Sequence, residues 1–198
     1  MSNILEKFDL HGKTAVVTGG SGLLGRQFSL ALAQAGANIL VADLAQQAAE
    51  AHALNLREQG LRAEGFGVDV TDPASTQAMA RAAQEIFGGL DILVHSAALD
   101  PKFDPANASS QGGNAFESYS LDSWRQALDV NLTGMFLASQ AAVQPMLEAG
   151  KGVIINMSSI AASYPYPGGN TYGGTKAFVK QFSLGLRSDL HGTGVRVT

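Results

Sequence analysis

The chain has 198 residues, 45% of them hydrophobic and 15% charged, with a formal net charge of −4. That length suits one domain with a sizeable core, and that composition is too apolar for a disordered chain. No basic block points to nucleic acid or an anionic membrane, the absence of cysteine excludes disulfides and thiolate chemistry, and no apolar run reaches the roughly 18 residues that span a bilayer.

Lys13 to Thr18 is a short β-branched run that ends in a glycine cluster and reads as a buried strand. Helical spacing of apolar residues from Leu23 to Ala35, stopped by Gly36, predicts the first helix. Asn38–Asp43 is a second strand, Ala45–Gln59 a helix, and Gly65–Val70 a third strand. Thr71-Asp72-Pro73 caps a helix running to about Phe87, and Asp91–His95 is a fourth strand. From Asp100 to Tyr119 the chain is rich in Pro, Asn, Ser and Gly without a period, read equally as a substrate lid or a mobile surface loop. Asp122 caps a predicted helix from Ser123 to Glu148, and Gly152–Met157 is a fifth strand. An irregular loop follows to Thr171, then a helix from Tyr172 to Leu190, and Val195–Thr198 begins a sixth strand. Alternating strands and helices imply an α/β fold, a parallel sheet covered by helices on both faces in one domain over 1–198.

Thr18 to Gly25 (TGGSGLLG) joins a strand to a helix. Its glycines permit a tight turn and let backbone N–H groups approach a pyrophosphate, although many plain strand–helix turns also contain glycine. Asp43 ends the second strand, 18 residues after Gly25, where a carboxylate accepts from ribose hydroxyls and repels a 2′-phosphate; a strand-end turn or helix cap is the competing reading. Leu44 and Ala45 bring no cation after it, which favours NAD over NADP. Asp69, before Val70, is placed either at the adenine edge or in turn chemistry.

Tyr172 and Lys176 lie four residues apart at the start of a helix, on one face, so the ammonium favours the phenolate. That suits Tyr172 as an acid or base. Ser158 and Ser159 follow the fifth strand, 14 and 13 residues before Tyr172, at the strand ends where doubly wound sheets bind ligands.

With these residues assembled, the chain resembles the single-domain branch of the short-chain dehydrogenase/reductase family over nearly its whole length. The resemblance implies a Rossmann sheet of order 3-2-1-4-5-6, with the last strand incomplete or missing. It places Gly19, Ser21, Gly22, Leu24, Gly25, Asp43, Leu44, Asp69, Val70, Ser96, Ala97 and Ala98, with Tyr172 and Lys176, around the cofactor. His95-Ser-Ala-Ala stands where the family has Asn-Asn-Ala-Gly. It also implies a catalytic set of Asn131, Ser159, Tyr172 and Lys176. In that set Tyr172 exchanges the substrate proton and Ser159 bonds the same oxygen. Lys176 tunes Tyr172 and holds the nicotinamide ribose, and Asn131 positions a water. The expected function is hydride transfer between NAD, rather than NADP, and a small hydroxy acid, polyol or sugar. A homodimer or homotetramer through the two long helices, a cytoplasmic location, and no nucleic-acid or membrane partner follow.

Four departures qualify the resemblance. Leu23 replaces a glycine, and with His95-Ser-Ala-Ala this resembles the branch of nucleotide-sugar epimerases and dehydratases. The 100–119 segment is longer than usual. The chain stops within the sixth strand, so a truncated product is expected, with an inactive or regulatory NAD-binding protein as the alternative reading. The stretch from Ile160 resembles the 3-hydroxy-acid and serine dehydrogenases, whereas the part before Ser158 is similar to polyol and sugar dehydrogenases. His11, His52, His95 and His191 lack metal-ligand spacing, so no metal site is expected. Phe87, Trp124 and Phe136 are read as core, and Tyr164 and Tyr166 as either crevice lining or loop packing.

Overall fold

The computed structural model describes residues 7–100, 116 and 119–198. Six strands form one parallel sheet in the order β3-β2-β1-β4-β5-β6. They are β1 (Thr14–Thr18), β2 (Asn38–Asp43), β3 (Ala63–Gly67), β4 (Ile92–His95), β5 (Gly152–Asn156) and β6 (Val195–Val197). The helices are α1 (Leu23–Gln34), α2 (Gln46–Glu58), α3 (Pro73–Phe87), α4 (Leu121–Leu128), α5 (Gly134–Glu148) and α6 (Asn170–Asp189). The order is the one expected, and β6 pairs with β5 as a short edge strand.

Successive residues of a strand point to opposite faces, so each strand feeds two cores. Val16, Leu40, Leu93 and Ile154 pack with Met79, Ala83, Ala142, Met146 and Leu190 under α3, α5 and α6. Ala15, Val17, Ile39, Val41 and Val94 pack with Ala33, Ala49, Ala53 and Leu56 under α1 and α2. All five residues of β1 are buried, as a central parallel strand requires.

Besides shifts of one or two residues at other ends, such as α6 beginning at Asn170 rather than Tyr172, three features differ from expectation. The third strand lies earlier, because Ala63–Gly67 pairs in register with Ile39–Asp43. Val68 N still donates to the Asp43 carbonyl at 2.8 Å, and Val68 to Val70 then line the cleft at the strand ends. Ser120, not Asp122, caps the long helix, its hydroxyl accepting from Ser123 N at 3.3 Å, so the helix starts at Leu121. That helix is also not continuous: a π turn at Asp129–Thr133 separates α4 from α5. Trp124 and Phe136 are about 40% exposed rather than core, whereas Phe87 packs against the α3 side. Most of the 100–119 insertion lies outside the described residues.

Candidate active site

The turn after β1 fits only glycine at its closest points. Gly19 has φ +62°, and a Cβ there would fall 2.9 Å from the Ala97 backbone. A Cβ on Gly25 would fall 2.1 Å from the Gly19 carbonyl oxygen. Leu23, in contrast, is 85% exposed, so no contact forces glycine at that departure from the family pattern. Gly22 starts α1 without a side-chain cap, which leaves the first-turn N–H groups open to an anion. The Ser21 N–H donates to Asp43 Oδ2 at 3.0 Å, while the Ser21 carbonyl accepts from Arg26 Nε at 2.7 Å. Asp43 Oδ1 also accepts from Ala45 N at 3.3 Å. Asp43 thus ends its strand, ties the glycine turn to the start of the next segment, and lines the cleft.

A cleft of about 670 Å³ opens at the carboxyl ends of the strands. Following the strand order, Asp69 and Val70 after β3 and Asp43 and Leu44 at the end of β2 line one side, Gly19, Ser21, Gly22, Leu24 and Gly25 after β1 the middle, and Ser96, Ala97 and Ala98 after β4 with Tyr172 and Lys176 the other side. Every residue named from sequence for the cofactor is therefore on this one surface. Its volume and its open helix N-terminus fit an elongated dinucleotide with a central pyrophosphate. Of the two readings of Asp69, the structure shows the turn chemistry: Oδ1 accepts from Thr71 N at 2.8 Å and Thr71 Oγ1 at 2.6 Å. The hydroxyl bond, then the N–H, hold its carboxyl below the usual range.

The four residues expected to be catalytic are placed differently. Lys176 is 4% exposed and its Nζ donates to the Met157 carbonyl at 2.7 Å. Burial pulls its pKa down from 10.5 to about 8. Its Nζ lies 5.6 Å from the centre of the Tyr172 ring. Ser158 lines the cleft and donates to the Lys176 carbonyl at 2.9 Å. Ser159 starts a 3-10 turn (Ile160–Ala162), its Oγ accepting from Ala161 N at 3.1 Å, and it is absent from the cleft lining. Asn131, 1% exposed within the π turn, does not line the cleft either. Its Oδ1 accepts from Leu99 N at 2.7 Å, and its Nδ2 donates to Leu99 O at 2.9 Å and Thr175 Oγ1 at 3.1 Å. The amide clamps the loop after β4 to α6. Gly173 lets the 3-10 turn lie on α6, since a Cβ there would sit 2.9 Å from Ala161 O. Tyr166 packs its ring on Gly169, and Tyr164 is 69% exposed.

Sequence reasoning missed the role of His95. Its Nδ1 pairs with Thr18 Oγ1 at 2.9 Å across adjacent strands, tying the glycine turn to the Ser96–Ala98 segment. The only signal was its place in the strand-end motif. Nε2 is buried with no hydrogen-bond partner among the described residues, and burial, with the Lys176 charge adding to it, pushes the pKa from 6.5 to about 3. The native state thus binds this proton less well than the unfolded chain, so stability falls as pH drops from about 6.5 towards 3. His95→Asn keeps an amide for Thr18 and removes the titration. Melting curves should show this variant gaining on wild type between pH 7.5 and pH 4.5 by several degrees; parallel curves would refute the assignment.

A family model described as short chain dehydrogenase matches residues 13–198. The chain is 44% identical over 141 residues to the serine 3-dehydrogenase of Agrobacterium fabrum, covering 71% of this chain and 52% of that protein. It is 41% identical over 131 residues to the NADP-dependent 3-hydroxy acid dehydrogenase YdfG of Escherichia coli K12, covering 66% and 49%. It therefore spans about half the length of the curated relatives it matches. The crystal structure of a gluconate 5-dehydrogenase from Burkholderia cenocepacia J2315, in complex with NADP and tartrate, superposes with a TM-score of 0.88 at 28% identity, covering 98% of this chain and 72% of that one. That of gox2181 gives 0.87 at 30% identity with the same coverage. Together with the strand order, the glycine turn and the tyrosine–lysine helix, the match over residues 13–198 makes this chain a member of the short-chain dehydrogenase family.

Proposed function

We propose that the protein is an oxidoreductase that interconverts a small hydroxy acid and the corresponding ketone, using a nicotinamide dinucleotide held in the cleft. The observation that carries this reading is the single surface joining the glycine turn, Asp43 and the Tyr172–Lys176 pair. The bound nicotinamide would take up or deliver the hydride. Gly19 to Gly25 and the start of α1 would hold the pyrophosphate, with Asp43 at the adenosine ribose and Lys176 at the nicotinamide ribose. Tyr172 would remove the proton from the substrate hydroxyl or return it to the carbonyl oxygen. Ser159 Oγ, which already accepts from Ala161 N, keeps its O–H to donate to that same oxygen. Lys176, buried and poised to lose its proton near pH 8, sets the field around the phenol. Asn131 acts as a positioning residue through Leu99 and Thr175.

Hydroxy acids are favoured over sugars and polyols because two kinds of relative carry hydroxy-acid names, serine 3-dehydrogenase and 3-hydroxy acid dehydrogenase. The Asp43 carboxylate argues for NAD, although the YdfG proteins are NADP-dependent by name. Assembly follows the same reading. Phe178 stacks on Phe182 at 6.0 Å and Phe136 meets Phe182 edge-on at 6.3 Å, an aromatic face of α5 and α6 that supports pairing with a second copy.

Purified protein mixed with NAD and a panel of 3-hydroxy acids, aldonic acids and polyols should give reduced-cofactor absorbance with the acids. Asp43→Ala should shift the NAD-to-NADP ratio of kcat/KM towards NADP by about tenfold, or 1.4 kcal/mol. No turnover with any member of the panel would refute the activity, and an unchanged ratio would refute the role of Asp43.

A further inference from the structure

The sequence places no cation after Asp43, yet the turn holds one from the other side. Arg26, in the first turn of α1, folds back so that Nε donates to the Ser21 carbonyl at 2.7 Å. The N–H of that same Ser21 donates to Asp43 Oδ2 at 3.0 Å. One residue of the glycine turn is thus gripped by a carboxylate through its amide and by a guanidinium through its carbonyl. Arg26 is solvent-exposed. Its Nη1 and Nη2 have no hydrogen-bond partner among the described residues, and no carboxylate lies within ion-pair distance. An exposed arginine usually wanders, and this one is tethered with the N–H groups of both terminal nitrogens left over. Ser21 and Asp43 both line the cleft, and in the reading above they border the adenosine ribose.

We infer that Arg26 is a specificity-determining residue that pairs with the 2′-phosphate of a phosphorylated dinucleotide seated over Ser21, opposing the repulsion from Asp43. This inference rests on the dinucleotide reading of the cleft. Cofactor choice becomes a contest between two fixed charges on either side of one residue, Ser21. Asp43 accepts a ribose hydroxyl and penalises a phosphate, while Arg26 offers planar donors that match phosphate geometry. A chain with a carboxylate at the end of β2 therefore accepts both dinucleotides instead of excluding one.

The test compares two small probes, 5′-AMP and adenosine 2′,5′-bisphosphate, which differ only in the 2′-phosphate. Calorimetry on wild type, Arg26→Gln and Asp43→Asn reads binding without turnover. In wild type the affinity of the bisphosphate relative to 5′-AMP should fall as salt rises, because the Arg26 contact is exposed. Arg26→Gln should weaken the bisphosphate about tenfold, remove that loss of affinity with salt and leave 5′-AMP within twofold. Asp43→Asn should strengthen the bisphosphate several-fold. If Arg26→Gln weakens both probes equally, Arg26 only braces the turn, and the inference fails. It also fails if Arg26→Gln changes neither. If wild type binds neither probe, the dinucleotide reading fails, and this inference with it.

Discussion

Tyr172→Phe should lower turnover by about a thousandfold or more while nucleotide affinity stays within twofold of wild type. Phenylalanine keeps the ring and its packing and deletes only the group that can move a proton. General acid–base catalysis contributes about 10²–10⁴ in rate. Steady-state rates together with calorimetric binding of the dinucleotide separate the two effects. Full turnover in the variant would remove Tyr172 from the chemistry, and with it the proposed mechanism. Lys176→Met makes the complementary case. The lysine is buried among α6, Met157 and the Tyr172 ring, so its loss should disturb both the dinucleotide ribose and the phenol, raising KM and lowering kcat together. Any pH dependence that Lys176 imposes should fall near pH 8, where the buried ammonium discharges. Because the native state binds this proton less tightly than the unfolded chain, its burial penalty is fully present below about pH 8 and is relieved as pH rises towards 10.5.

The second large effect belongs to Gly25. An alanine there would push its Cβ to 2.1 Å from the Gly19 carbonyl oxygen and 2.7 Å from Gly20 Cα. Both are backbone atoms of a tight turn, so neither can yield by changing rotamer. Gly25→Ala should cost about 3 kcal/mol, the range typical of overpacking, and lower Tm by about 10 °C. It should also abolish dinucleotide binding, because the displaced turn is the proposed pyrophosphate seat. Gly174→Ala is the matched control. It lies within α6 with nothing within 4 Å of its Cβ, so alanine should be neutral or stabilise by about 0.5–1 kcal/mol. Gly25→Ala with wild-type Tm and binding would show that the turn is far more compliant than its contacts indicate.

Much of the fold was readable because its signals are local. A β-branched run closed by a glycine turn identified β1, and Asn38–Asp43 was bounded to the residue. Asp72 and Pro73 marked the start of α3 by cap and N1 chemistry. The errors came where partners outside the segment decide. Only pairing with β2 sets the limits of β3, so its apolar tail at Val68–Val70 misled. The choice between Ser120 and Asp122 as cap depended on which side chain met a free N–H. The π turn has no periodic signature, since one extra residue leaves the apolar spacing on each side intact. In the site, glycine, carboxylate and tyrosine–lysine patterns were legible because their chemistry needs those residue types. The backbone atoms that position them were not. The carbonyl of Met157 and both polar atoms of Leu99 come from residues whose side chains say nothing of such roles.

The wide turn at Asp129–Thr133 also constrains how this chain tolerates change in length. A regular helix advances about 100° per residue, so deleting one residue there would heal the ladder into ordinary α-helix and swing everything upstream by that angle. Gln126 and Val130, now at the cleft, would rotate away from it, and Asn131 would lose its grip on Leu99. The segment is therefore a phase adjuster between two helices that face different neighbours. A substitution along α4 or α5 acts at its own position, whereas a single-codon deletion between them would unseat a whole face.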